Sequence, residues 1–137
     1  MLLNVSPARH AVELLVAAGI DFVVSVPCGL LGDLLDETRT DPRMEHLPVT
    51  REEEGIGLCA GAALAGRVPC IMMQNSGLGN CLNAIASLTQ TFKLPLLMII
   101  GYRGDPVDPI VAQHAMGQAT RGLLEVMGIP TVFMTDV

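Results

Sequence analysis

Glu52 stands where a short apolar segment, His46 to Val49, gives way to the acidic run Thr50-Arg51-Glu52-Glu53-Glu54. Acids are favoured in the first turn of a helix by the peptide dipoles, and Glu53 and Glu54 need no further account than a solvated helix start. Glu52 differs by its place at the hand-over from strand to helix. A second candidate is Asn75-Ser76-Gly77-Leu78-Gly79-Asn80, a glycine-rich turn leading from an apolar strand into a helix. Backbone N–H groups in such a turn can hold an anion or a polar heterocycle. Strand-to-helix turns use glycine for their own geometry, however. This one also lacks the Lys-Ser/Thr pair of a phosphate-binding loop and the full dinucleotide fingerprint. Histidine titrates near neutrality and suits proton transfer, which makes His114, beside Gln113, a third candidate, although a lone loop histidine is most often only solvated. Arg103 is the cation best placed to meet an anionic substrate, with Arg51 and Lys93 behind it.

The elements that must position these residues alternate. Ser6-Pro7 starts a helix, with Ser as cap and Pro at the first helical position. Ala8, Ala11, Val12, Leu15 and Ala18 fall on one face, and Gly19 stops it. The pattern then predicts a strand at Phe22–Val26, a helix at Leu30–Arg39, a strand at His46–Val49, and a helix at Glu52–Ala65 closed by Gly66. A strand at Cys70–Met73, a helix at Leu78–Phe92, and a continuous apolar strand at Leu96–Ile100, expected to be buried on both faces, follow. A loop rich in Gly, Pro and Asp runs from Gly101 to about Gln118, before a helix at Thr120–Met127 and a strand at Thr131–Met134.

Such alternation implies an α/β fold, a doubly wound parallel sheet covered on both sides. Ligands of these sheets sit beyond the carboxyl ends of the strands. That selects Pro27-Cys28-Gly29, the junction at Glu52, the turn at Asn75–Asn80 and the loop carrying Arg103, Gln113 and His114. The run from Gly55 to Gly66 is almost all Gly, Ala and small apolar residues, which is poor for intrinsic helix stability. It suits close backbone approach, either to the chain's own sheet or to a second subunit.

The 137 residues suffice for one domain. Net charge is −6, and eight scattered Lys and Arg supply no basic patch, which argues against nucleic acid. Cys28, Cys59, Cys70 and Cys81 form no C-x-x-C pair and read as buried free thiols of a reducing cytoplasm. No signal peptide and no membrane-spanning run are visible, so a soluble, cytoplasmic chain is expected. The sequence stops at Val137 just after an expected strand, where a further helix would usually follow, so the domain is expected to be short at its C-terminus.

Over essentially its whole length the sequence resembles the N-terminal pyrimidine domain of thiamine-diphosphate enzymes. In that family an Asn- or His-Glu pair opens a helix, and a small-residue segment follows nine residues after the Glu; Glu52 and Gly61 have that spacing. Position 62 is Ala where Tyr is common, and Gly29 stands where pyruvate decarboxylases place an acid in the loop that Val26-Pro27-Cys28-Gly29 resembles. Ser76-Gly77 through Asn80 corresponds to the family's Gly-Pro-Gly-x-x-Asn turn. Met73 through Asn80 and Gln113 through Thr120 are similar to motifs of the phosphonopyruvate and sulfopyruvate decarboxylases, and Met116-Gly117-Gln118-Ala119-Thr120 followed by Leu123-Leu124-Glu125 tilts toward the sulfopyruvate type.

The resemblance implies a lyase that decarboxylates a 2-oxo acid on thiamine diphosphate. It implies Glu52 at the ring nitrogen of the aminopyrimidine, a role suited to a carboxyl group desolvated between subunits. Ser76, Gly77, Leu78, Pro27 and Gly29 would contact the cofactor, His114 would handle a proton or the substrate carboxylate, and Asn75, Arg103 and Gln113 would meet the substrate. The family's diphosphate and metal motif, Gly-Asp-Gly with a later Asn-Asn, does not occur here. By the same resemblance, Mg²⁺ and the diphosphate are held by a partner chain in a hetero-oligomer, and the sulfopyruvate type links to coenzyme M synthesis. Phosphonopyruvate or another 2-oxo acid is the alternative substrate. A non-enzymatic flavodoxin-like module that binds a small anion at Ser76–Asn80, or an inactive remnant of a longer enzyme, is the alternative function.

Overall fold

The computed structural model describes residues 5–134. Four parallel strands form one sheet: β1 (Phe22–Ser25), β2 (Glu45–Pro48), β3 (Pro69–Gln74) and β4 (Leu97–Gly101), in the order β2-β1-β3-β4. The register pairs Val24 with Leu47 and Ile71, and Ile71 with Met98. Five helices flank it: α1 (Pro7–Ala17), α2 (Gly32–Thr40), α3 (Glu52–Leu64), α4 (Asn75–Ala84) and α5 (His114–Val126). The chain order reverses direction across the sheet between β1 and β3, and their carboxyl ends are where a crevice opens in such folds.

Strand alternation splits the core into two layers. Val23, Cys70 and Met72 point to one face and bury Val12 and Leu15 of α1, with Leu34 and Leu35 of α2 packed alongside. Phe22, Val24, Ile71 and Met73 point to the other and bury Ile56 and Cys59 of α3, Leu78 and Cys81 of α4 and Leu124 of α5. With almost no aromatics, these aliphatic and sulfur side chains supply the burial. The start of α1 is as the sequence predicts: Ser6 Oγ accepts from the Arg9 backbone N–H at 3.0 Å, and Pro7 occupies the first turn. Gly19 takes the left-handed conformation, φ 85°, that ends the helix. At the edge between α1 and α2, Asp41 is fully buried at its side chain and ion-paired to both Arg9 and Arg43.

Four expectations are corrected. First, the segment from Asn75 to Asn80 is not a turn but the opening of α4, which begins three residues before Leu78. Two glycines argue against helix by intrinsic propensity, yet tertiary contacts at Asn75 override them. Past Ala84 the helix continues as a π-helical stretch, Ile85–Gln90. Second, α5 starts at His114, so His114 lies on a helix N-terminus and not in a loop; a short 3₁₀ turn, Val111–Gln113, leads into it. Third, β4 is not buried on both faces. It is an edge strand whose Leu97 is exposed and whose Met98, Ile99 and Ile100 are half-buried. Fourth, residues 131–134 form no strand, because they make no ladder with β4. The remaining boundaries differ by a few residues at most, and residues 135–137 lie outside the described part.

Both readings of the small-residue run have a counterpart in α3. A Cβ at Gly55 would lie 2.7 Å from Ile71 Cδ1 and 3.1 Å from Val24 Cγ1, so this glycine lets α3 settle on its own sheet. Gly57 and Gly61 have nothing near a would-be Cβ; they face outward with Leu58 and Leu64, which is 73% exposed. An apolar helix with small residues on its outer face is built to be covered. Among the described residues no helix is long and apolar enough to cross a membrane.

Candidate active site

At the carboxyl ends of β2 and β3, two helix starts are pressed together. Arg51 is extended at the cap of α3 and Gln74 is extended at the cap of α4, and neither supplies a side-chain cap bond. The first-turn N–H groups of both helices therefore remain available at the mouth of the sheet. Glu52 reaches across from α3 to α4. Its Oε2 accepts from Asn80 Nδ2 at 3.2 Å. Its side chain lies on Gly77 so closely that a Cβ there would be 2.3 Å from Cγ and 2.5 Å from Cδ and Oε1. Gly77 is thus a slot for the Glu52 carboxyl. The sequence pairs these residues only through the family resemblance, whereas the contact itself needs both helix starts in place.

A second set of contacts extends from this slot. Gln74 Nε2 donates to Ser76 Oγ at 2.8 Å and to Gln113 Oε1 at 3.0 Å. Gln74 was not singled out by the sequence, yet it joins the α4 start to the segment carrying His114. Asn75 is fully buried. Its Nδ2 donates to the Arg103 carbonyl at 2.8 Å and to Thr120 Oγ1 at 3.0 Å, while its Oδ1 accepts from the Arg103 N–H at 3.2 Å. Asn75, expected at the substrate, is instead committed to tying β4's exit and α5 to α4. Leu78, expected at the cofactor, sends its side chain into the core and keeps only its backbone at the site. Arg103, expected to meet an anionic substrate, is engaged in a two-pronged pair with Asp108, Nε to Oδ2 at 2.7 Å and Nη2 to Oδ1 at 2.9 Å.

The loop after β4 is pinned against α5 by two glycines. Gly104 has φ 85°, and a Cβ on Gly117 would fall 2.1 Å from the Gly104 carbonyl oxygen and 2.7 Å from that of Arg103. Tyr102 donates its hydroxyl to the Gly117 carbonyl at 2.6 Å. Backbone cannot yield as a side chain can. Gly117→Ala, which in an open helix would be mildly stabilising, should cost about 1–3 kcal/mol through overpacking. A lower midpoint in urea with an unchanged slope would register it.

Pro27 and Gly29 go elsewhere. With Ser25, His46 and Arg39 they line a cleft of about 450 Å³ between the strand ends and α2. They share no hydrogen bond with Glu52. Ser25 Oγ and His46 Nε2 are 2.8 Å apart at its floor, a pairing that register creates and that sequence reading did not anticipate. Gly101 faces this loop: a Cβ there would lie 2.8 Å from Cys28 Sγ.

The four cysteines are free and buried. Burial pushes the Cys59, Cys70 and Cys81 thiols up to about 12, so they are inert neutral groups. Asp41 and Asp108 are held well below the usual carboxylate range, first by hydrogen bonds from Arg43 and Arg103 respectively. Their contribution to stability is complete above the ordinary 3.8 and is lost as pH falls below it. Burial, then the Arg39 charge, depresses His46, whose contribution is complete above the ordinary 6.5 and erodes below it. The melting temperature should begin to fall below pH 6.5. His46→Gln should remove that first decline and leave the one below pH 3.8.

The model of the thiamine pyrophosphate enzyme, N-terminal TPP binding domain, matches residues 6–131. Sulfopyruvate decarboxylase subunit alpha of Methanococcus maripaludis is 50% identical over 128 residues, which are 93% of this chain and 75% of that protein. Phosphonopyruvate decarboxylase of Streptomyces viridochromogenes is 38% identical over 94% of this chain, and the match spans 33% of that longer protein. An X-ray structure of a protein assigned to the thiamin diphosphate-dependent enzymes, isolated from Mycobacterium smegmatis, superposes on 73% of this chain and 19% of its own length with a TM-score of 0.62; at 16% identity it bears on the fold alone. With the helix starts meeting at Glu52 and Gly77, these likenesses agree: the chain belongs to the family of N-terminal thiamine-pyrophosphate-binding domains of thiamine pyrophosphate enzymes, alongside the sulfopyruvate decarboxylase alpha subunits.

Proposed function

We propose that residues 1–137 form the pyrimidine-binding subunit of a two-chain, cytoplasmic decarboxylase that converts 3-sulfopyruvate to sulfoacetaldehyde and CO₂. The observation that carries the reading is the Glu52 carboxyl seated on Gly77 and bonded to Asn80. This arrangement fits an aminopyrimidine. The absent Cβ at Gly77 lets the carboxyl lie at the mouth of the sheet, where it offers an acceptor or a proton to a ring nitrogen, and the uncapped N–H groups of α4 offer donors. Bound thiamine diphosphate would supply the electron sink that decarboxylation of a 2-oxo acid needs.

This chain's residues would then divide the work. Glu52 holds a proton at the pyrimidine nitrogen. Ser76, Gly77 and Leu78 present backbone groups to the ring, while Pro27 and Gly29 line the neighbouring cleft beside α2. His114 moves a proton or meets the substrate carboxylate, and Gln113 sits beside it to orient the substrate. Arg103 contributes through whatever charge its pair with Asp108 leaves. A second chain would hold the diphosphate and Mg²⁺. Two features support this split: the outward apolar face of α3, and the 50% identity to a protein that is itself a subunit, sulfopyruvate decarboxylase subunit alpha.

That longer relative also favours phosphonopyruvate as the second substrate reading. Tagged chain captured from its native extract with thiamine diphosphate and Mg²⁺ should bring down a stoichiometric second chain. The pair should turn over sulfopyruvate much faster than phosphonopyruvate. The reverse preference would reassign the substrate, and a chain recovered alone that binds no thiamine diphosphate would defeat the subunit reading.

A further inference from the structure

We propose that Asp108 is the positioning residue of His114, holding the imidazole as its Nε2–H tautomer so that Nδ1 is the nitrogen available to accept a proton; the proposal rests on the reading of His114 as a group at the reacting substrate. The carboxylate of Asp108 is nearly enclosed, with its side chain 6% exposed. It gathers four donors: Arg103 Nε at 2.7 Å, Arg103 Nη2 at 2.9 Å, and the backbone N–H groups of Gly104 and Ile110, each at 2.9 Å. Those bonds fold the segment 104–110 into one rigid hook. The hook's own carbonyl, that of Asp108, then lies 2.8 Å from His114 Nε2.

A carbonyl oxygen can only accept. For that contact to be a hydrogen bond, Nε2 must carry the proton, and in the neutral ring Nδ1 must then be the lone-pair nitrogen. The hook is anchored in turn. Arg103 is gripped through its backbone by both polar atoms of the buried Asn75, the first residue of the helix that carries Ser76 and Gly77. Asn75, Arg103, Asp108 and His114 thus form one chain of contacts from the Glu52 slot to the imidazole. It also gives Arg103 and Asp108 a use that does not require either to touch substrate. A base held by such outer contacts keeps its geometry without reorganising during the reaction.

The test reads the tautomer directly. In the full chain labelled with ¹⁵N-histidine, at a pH where the ring is neutral, His114 should show a protonated Nε2 and an unprotonated Nδ1, its signals assigned by their loss in His114→Ala. Asp108→Ala should convert it to a tautomer mixture and, in the enzyme assembled with its partner chain, lower kcat by up to about 10²-fold with KM changed little. An Nδ1–H tautomer in the unmodified chain overturns the proposal without any variant having to fold. So does an Asp108→Ala enzyme with normal kcat. A His114→Ala enzyme with full turnover overturns instead the reading of His114 beneath it, and the two failures are told apart by the wild-type spectrum.

Discussion

Glu52→Gln should lower turnover of the assembled enzyme by about 10²- to 10⁴-fold, the range a positioned proton-transfer group contributes, while assembly and thermal stability stay near normal. Gln keeps the length of the side chain, and its oxygen can still accept from Asn80 Nδ2, so the bridge between α3 and α4 survives. What it loses is the ability to hold or release a proton at the pyrimidine. The effect should therefore fall on kcat, with cofactor binding weakened less. Steady-state rates with saturating thiamine diphosphate, set beside a titration of the cofactor, separate the two. Turnover within a few-fold of normal would remove Glu52 from proton transfer and leave it a contact between helices.

The second expected result separates position from chemistry. Gly77→Ala adds one methyl where the Glu52 side chain already lies, 2.3 Å from Cγ and 2.5 Å from Oε1. No carbon tolerates that approach, so the Glu52 side chain must swing aside. Gly77 is itself helical, and alanine in a helix is favoured over glycine by up to about 1 kcal/mol. The variant should accordingly fold at least as well as the parent once Glu52 has moved, since the obstructing atoms belong to a half-exposed, flexible side chain. Displacing a reacting group by an ångström can cost on the order of 10²-fold in rate. A protein with an unchanged or higher melting temperature and roughly 10²-fold lower turnover is the expected outcome. Full activity would show that the slot does not set the carboxyl's working position.

These two residues also show where sequence reading reaches and where it stops. Strand and helix order followed from apolar periodicity, because Phe22–Ser25, Pro69–Gln74 and the helix faces carry the pattern without interruption. The opening of α4 did not, because local propensity sees two glycines and reads a turn, whereas the side-chain amide of Asn75 fixes the helix start through contacts 28 and 45 residues away. Glu52 was legible from its spacing to Gly61, and Ser76 and Gly77 from the motif around them. Arg103 read as a cation placed for an anionic substrate, since nothing local shows that Asp108 would turn back and claim it. His46 went unread for a related reason. Its pairing with Ser25 exists only because β1 and β2 are neighbours in a given register.

The inert cysteines have a practical consequence. Cys70 lies in the layer beneath α1 and α2, while Cys59 and Cys81 lie in the layer beneath α3 and α4. Each thiol can meet a soluble alkylating reagent only when its own layer opens. Pulsed alkylation followed by mass spectrometry would turn them into two independent clocks on one molecule. Equal labelling rates would mean that the sheet's two sides open as one cooperative unit. Faster labelling of Cys59 and Cys81 would mean that the site's own layer breathes first, and adding the partner chain would then slow that clock selectively.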